Sequence, residues 1–345
     1  MSLRYIYFSS FLLISLIPFF LVTGPFLADL SVVILNFFFF YVIFKEKNYS
    51  LLNNKFFLIF IIFCIYLVLR AHFTTNLFVS IKSVLFYFRF LIFALMVYLT
   101  LKNYPNFIRK FSIIFLITIN FILFDSIFQF LVGEDIFGIK SNHHTRISGP
   151  FGDELVLGSY LSRFSPFLIF LFYYSNKHLK YLSILTFALG FLVTLLSAER
   201  TATILYSITI LFFIFYIKGY SKFKIMVLIL SLISIIFILN TNNQKQRLFV
   251  NSLQNIQNGE VWISVMHDAH MRTSLNMFLQ NPIFGVGPKM FRYHCSEKRY
   301  EIKNPPNKKS NDLRCSTHPH NLLIQAMAET GIIGMFFYLS VFFYV

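Results

Sequence analysis

Apolar stretches of bilayer length recur along almost the whole chain, and nothing else in the sequence constrains its fold as strongly. They lie near 5–22, 26–44, 56–70, 81–101, 111–132, 154–175, 181–197, 201–217, 224–240 and 322–343. About 20 helical residues cross a hydrocarbon core of roughly 30 Å. Backbone groups in lipid must satisfy one another, so such stretches form helices. The chain has 345 residues, of which only 13% are charged, about half the share of a soluble domain. The pattern predicts an all-α polytopic membrane protein. Residues 1–239 hold nine transmembrane helices with short loops, 240–321 form one large and partly helical loop, and 322–345 hold a tenth helix. No separate soluble domain is expected. The first run lacks a small-residue cleavage site followed by a soluble domain, and reads as a span.

Basic residues set the orientation. Alternate short connections carry Arg4, Lys45, Lys47, Lys55, Lys102, Arg109, Lys110, Lys177, Lys180, Lys218, Lys222 and Lys224 against the single acid Glu46. The other short connections carry Arg70, Lys82, Lys140, Arg146 and Arg200 against Asp29, Glu134, Asp135, Asp153, Glu154 and Glu199. Positive-inside bias therefore predicts a cytoplasmic N-terminus. The long segment from Asn240 to Asn321 then faces the opposite side, with eleven Lys/Arg and five Asp/Glu. That bias does not govern so long a loop, and its basic excess fits an anionic ligand or lipid headgroups. The net charge of +16 is spread over both faces and is no nucleic-acid footprint.

Within this loop, VWISVMHDAHMRTSLNMFLQ predicts a helix ended at Asn281-Pro282. Asp268 and Arg272 stand at i, i+4 and can pair. Gly285-Val286-Gly287-Pro288 predicts a sharp turn. Cys295 and Cys315 bracket a loop of charge and proline. Outside the cytoplasm they are expected to form a disulfide that tethers the segment before His320.

His318-Pro319-His320-Asn321 leads into the last apolar run. A helix beginning near Thr317 would set 320, 324, 327, 331 and 334 on one stripe, with Gly331 and Gly334 admitting a neighbouring helix below the imidazole. The final span stops at Val345 without a basic flank, which leads us to expect a fragment of a longer protein.

Metal catalysis lacks a ligand pattern. His267 and His270 are three apart and His143-His144 adjacent, but no HExxH, paired CxxC or carboxylate ladder is present. GxSxG, Walker and GxGxxG signatures are missing too. Arginines and one histidine remain. Arg200 closes Ser197-Ala198-Glu199-Arg200 between two spans and should face a polar cavity or pair with Glu199. Arg272 and Arg292 lie on the loop. Guanidinium forks suit phosphate oxygens, and a histidine near neutrality suits proton abstraction. Arg146, Asp153 and Glu154 are candidates for sugar contact or for a helix start. Arg163 could face the donor. Arg89 and Asp125 could pair or line a cavity.

His320-Asn321, nine residues, Gly331, two residues and Gly334 resemble the signature of bacterial O-antigen ligases and their relatives, the O-antigen polymerases. RTSLNMFLQNPIFGVGPKMF, the arginine after the seventh span and GPFGDELVLGSYLSRFSP extend the resemblance over about 146–340. It implies a GT-C-like helical bundle in the bacterial inner membrane. It also implies a metal-independent inverting glycosyltransferase without cofactor, in lipopolysaccharide or surface polysaccharide biosynthesis. The donor would be undecaprenyl-diphosphate-linked glycan and the acceptor lipid A–core or another glycan, at the periplasmic face and among membrane lipids. His320 would be the general base, Arg200 and Arg272 would hold the diphosphate, and His318 and Asn321 would support the histidine or touch sugar. Such proteins continue through one or two further spans. The histidine block leans toward a ligase and FGDELVLGSYL toward a polymerase. A flippase or secondary transporter is the rival from another class, but no internal repeat is evident and polar residues gather at the outer edge.

Overall fold

The computed structural model describes residues 2–47, 49–141, 146–174, 177–259 and 264–344. His143 and His144, and the first residues of the expected loop helix, lie outside them. The protein is an all-α polytopic membrane protein. Its helices are α1 (Leu3–Phe20), α2 (Pro25–Glu46), α3 (Lys55–His72), α4 (Leu77–Val84), α5 (Arg89–Asn103), α6 (Phe107–Val132), α7 (Leu157–Tyr174), α8 (Lys177–Leu196), α9 (Arg200–Tyr216) and α10 (Ser221–Leu239). The loop adds α11 (Asn242–Lys245), α12 (Asn251–Gln257), α13 (Val265–Gln280) and α14 (Phe291–His294), and α15 (Leu322–Tyr344) follows. Eight helical segments among the described residues have the length and apolarity to cross a membrane, α4 and α5 counting as one. Expected spans 154–175 and 201–217 are helical as α7 and α9, the first carrying more polar residues and the second 17 residues long.

Two compact units emerge from the contacts, Met1–Ser31 with Leu99–Asn251, and Val32–Tyr98 with Ser252–Val345. In the first, α8 packs on α6, α7, α9 and α10, and α1 on α6. Phe172, Phe187, Tyr206 and Phe213 are fully buried at its centre. Two polar contacts join helices there: Tyr206 donates to the Phe187 carbonyl at 2.7 Å and Asn120 to Thr186 at 2.9 Å. Gly190 leaves room for the Tyr206 hydroxyl, which would lie 2.5 Å from a Cβ at that position. In lipid, where water offers no competing bonds, such pairs fix helix against helix.

In the second unit α15 packs on α3 and α13, and α3 on α4. Asn54 and Asn76 start α3 and α4 by accepting the N–H of Phe56 and Val79. The last helix is not continuous. Gly331 has φ 65° and ψ −164°, so the helical ladder is interrupted about 13 Å along the axis from its first residue. The freed groups find partners elsewhere in the unit. Val286 N–H donates to the Ala328 carbonyl (2.9 Å) and Gly287 N–H to Glu329 (2.8 Å). The Tyr66 hydroxyl donates to Thr330 (2.6 Å), and the Ile332 N–H reaches the Pro282 carbonyl (2.8 Å). Arg70 secures the same turn, donating to the carbonyls of Phe284 (2.8 Å) and Gly285 (2.6 Å). The element lying against Gly331 is therefore the 282–287 turn and not a neighbouring helix, which corrects the sequence expectation. A left-handed φ costs glycine nothing, and the turn's backbone comes too close for any side chain.

That closeness separates two substitutions. A Cβ on Gly331 would lie 2.1 Å from the Ile283 carbonyl oxygen, whereas one on Gly334 would lie 1.9 Å from the Thr330 hydroxyl oxygen and 2.3 Å from the Thr330 Cβ. We expect Gly331→Ala to cost roughly 3 kcal/mol through strain and lost backbone bonds. Gly334 has no left-handed φ to lose, and Gly334→Ala should cost less, about 1–2 kcal/mol, as overpacking against the Thr330 turn. Thermal denaturation in detergent checks the order, and equal costs contradict a break held by the turn.

Candidate active site

Asn321, not Thr317, begins the last helix. Its Oδ1 accepts the Ile324 N–H (3.1 Å) and its carbonyl the Gln325 N–H (2.8 Å), as an N-cap residue does. Pro319 explains the late start, because it lacks an N–H and biases His318 away from helical backbone. His320 sits just outside with φ 58°, a region few residues with a Cβ occupy. The expected stripe through 320, 324, 327, 331 and 334 is thus corrected at both ends: its first member precedes the helix and Gly331 breaks it. Asn321 spends its side chain on the cap.

Four imidazoles meet at His320. Its ring centroid lies 4.1 Å from His318, 5.2 Å from His267 and 5.5 Å from His270, the last nearly parallel at 23°. His267 and His270 come from adjacent turns of α13. Ser316 Oγ lies 3.3 Å from His320 Nε2, and Thr317 Oγ1 2.9 Å from His318 Nδ1. His270 is buried, and neither ring nitrogen meets full hydrogen-bond geometry among the described residues, though the carbonyls of Leu313 and Cys315 lie beside it. Cys315 is joined to Cys295. Closing a loop of that length restricts the unfolded chain by about 3 kcal/mol in the chain-entropy account. Among the described residues no group of three or more His, Cys, Asp or Glu is arranged to hold a metal.

Protonation follows from this packing. Burial first, then the charges of His320 and His267, press the His270 pKa down to about 4. Burial lowers His320 as well, and lowers His318 together with the charges of His320, Lys289 and Arg292. A histidine below its ordinary value near 6.5 is neutral at pH 7, the form that takes a proton. His320 is also exposed, so a ligand can reach it.

Lys289 and Arg292 form the cationic side. Lys289 stands at φ 62° after the Gly-Val-Gly-Pro turn. Beneath it lies Glu329, only 6% exposed. The Glu329 carboxylate accepts the backbone N–H of Lys289 and Phe291 and the Gln325 side-chain amide at 3.0 Å. An acid inside an apolar span is costly unless paired, and here it anchors the turn that carries the two cations. Arg272 leaves α13 elsewhere. Its Nε donates to Asp268 at 2.7 Å, and at 100° per residue it stands roughly 140° around the helix from His267 and roughly 160° from His270.

Arg146, Arg200, Glu154 and Arg163 belong to the first unit. Arg146 donates to the Ser197 carbonyl (3.1 Å) and reaches Glu199 at 3.8 Å. Burial, reinforced by Arg247 and opposed by Glu199, lowers its pKa. Glu199 accepts the N–H of Gly158 and Ser159, holding the start of α7. Arg200 donates to the Arg247 carbonyl (3.0 Å), and Arg247, on a π-helical turn, donates back to Ala198 (3.1 Å). Arg163 is exposed and donates to the Ser159 carbonyl. Glu154 is exposed in the turn before α7.

Reading the sequence missed Lys289, Glu329, Arg247 and the convergence of His267 and His270 on His320. Glu329 and Gln325, four apart in an apolar run, were a visible signal; the tertiary meeting of the histidines was not.

Residues 185–339 match a family model described as O-antigen ligase. No curated protein and no solved structure matches the chain.

Acid should loosen the histidine cluster. Below pH 6.5 the unfolded chain protonates His270 while the folded one resists until about pH 4. Stability therefore falls on acidification through that window, by on the order of 3 kcal/mol from this group. His318 and His320 act in the same direction. Denaturation midpoints between pH 7 and 4 should show the loss, and His270→Phe should reduce it. Stability that rises on acidification contradicts the assignment.

Proposed function

We propose that this membrane protein, which over residues 185–339 matches the O-antigen ligase family model, transfers glycan from undecaprenyl diphosphate to the hydroxyl of an acceptor sugar on lipid A–core. The observation that carries the proposal is His320, exposed, below its ordinary pKa and 4.1 Å from His318, on which Lys289 and Arg292 act, all within the matched residues. The acceptor oxygen attacks the anomeric carbon as the bond to the diphosphate oxygen breaks. His320 takes the hydroxyl proton, the diphosphate leaves with the bonding electron pair, and displacement inverts the centre. Lys289 and Arg292 offset the charge that grows on the leaving group. Family resemblance further assigns Arg272 to the donor diphosphate and implies a metal-independent reaction. Asp268 fixes the Arg272 guanidinium, which favours a directed contact over a diffuse one.

Basic residues in short connections support a cytoplasmic N-terminus and a site on the outer, periplasmic side of the bacterial inner membrane. The acceptor distinguishes ligase from polymerase. A deletion strain should carry core without O-antigen and accumulate lipid-linked polymer; core bearing one repeat would instead assign polymerization.

An interrupted helix also occurs in secondary carriers, so the break at Gly331 favours neither class by itself. Purified protein in detergent has no compartments, and transfer between lipid-linked donor and acceptor there supports the enzyme. His320→Ala should lower kcat about 10²–10⁴-fold. Arg272→Ala should impair donor use more than Arg272→Lys, since lysine keeps the charge without the fork. Unchanged turnover in His320→Ala removes it as the base.

A further inference from the structure

A cavity of about 710 Å³ opens in the second unit between the end of α3 and the turn that follows α13. Leu69 and Phe73 form one wall, Ile283 and Phe284 the other, and these four side chains are more than half exposed. Polar groups that reach the cavity are committed inward. Tyr66 donates to Thr330, and Arg70 to Phe284, Phe73 and Gly285. The remaining wall is apolar, of a size that holds a small ligand or a length of hydrocarbon.

What distinguishes the cavity from an ordinary lipid-facing dent is its neighbour along the chain. Gly285, on its rim, is four residues from Lys289, at most about 14 Å even fully extended. The same helix break holds both: Gly287 N–H bonds the Glu329 carbonyl, and the Glu329 carboxylate receives the N–H of Lys289. Lys289 and Arg292 in turn act on His318, beside His320. One turn thus runs from an apolar cavity through two cations to the proposed base.

Resting on the transfer proposed above, we infer that this cavity holds the head-proximal part of the donor's prenyl tail, with its diphosphate at Lys289 and Arg292. An apolar chain joined directly to a dianionic head matches that sequence of walls. Phospholipid acyl chains match the first wall alone, because their phosphate is separated from the tails by glycerol and esters. The turn would then set how far the diphosphate stands from His320.

Two measurements test this. Leu69→Trp and Ile283→Trp fill the cavity from exposed positions, and unchanged thermal denaturation confirms the fold. We expect KM for an undecaprenyl diphosphate donor to rise about tenfold, with kcat kept and a smaller effect on a geranyl diphosphate donor, on the scale of apolar pocket contacts. A diazirine-bearing prenyl diphosphate without glycan should label 69–73 or 281–285 in the wild-type protein, and less in both variants. Equal loss of both donors, unchanged KM, or label elsewhere or displaced by phospholipid overturns the inference. Labelling needs no turnover, so a protein that labels at this wall yet transfers nothing contradicts the transfer and supports the tail site.

Discussion

A helix crossing lipid cannot release a carbonyl without supplying another donor, and where α15 breaks at Gly331 three donors come from outside it. The carbonyls of Ala328, Glu329 and Thr330 accept from Val286, Gly287 and Tyr66. Unsatisfied backbone at membrane depth costs several kcal/mol per group, and irregular backbone persists there only when protein surrounds it. The 282–287 turn is that surrounding protein. Its two glycines are needed for contact: a Cβ on Gly285 would stand 2.5 Å from the Glu329 carbonyl carbon, and one on Gly287 2.2 Å from Thr74.

From this interaction the rest of the second unit takes its positions. With the turn seated, Glu329 lies under Lys289 and Phe291 and gathers their N–H groups, and the cations emerge beside His318. On the other side, α13 carries His267 and His270 to His320, while Cys295–Cys315 keeps the segment before it against His270. His320 and Lys289 both hold left-handed backbone. Residues with a Cβ stay there only where their surroundings over-determine them, and here a helix cap on one side and a buried carboxylate on the other do so.

Much of this was legible in the residues. Ten apolar runs locate the long helices because lipid leaves no other secondary structure for them. Asn281-Pro282 marks the end of α13, and the i, i+4 spacing gives the Asp268–Arg272 pair. The histidine block and its glycines carried the family resemblance. What escaped reading depends on distant contacts. Glycine in an apolar helix serves equally for close packing or for a break, and only the turn that fills the gap decides. His267 and His270 resemble an incomplete metal pair until His320 is placed against them. Glu199, expected beside Arg200, instead caps α7 through Gly158 and Ser159 and reaches Arg146; sequence adjacency on a tight turn says little about where a side chain points.

Amide hydrogen exchange of the protein in lipid nanodiscs probes the seated turn most directly. The Val286, Gly287 and Ile332 amides should exchange as slowly as those in the middle of α13, although the first two lie in a loop and the third follows a break. Exchange of these three at the rate of an open loop would mean that the carbonyls of α15 are not held by the turn, and the placement of Lys289, Arg292 and His320 would lose its foundation.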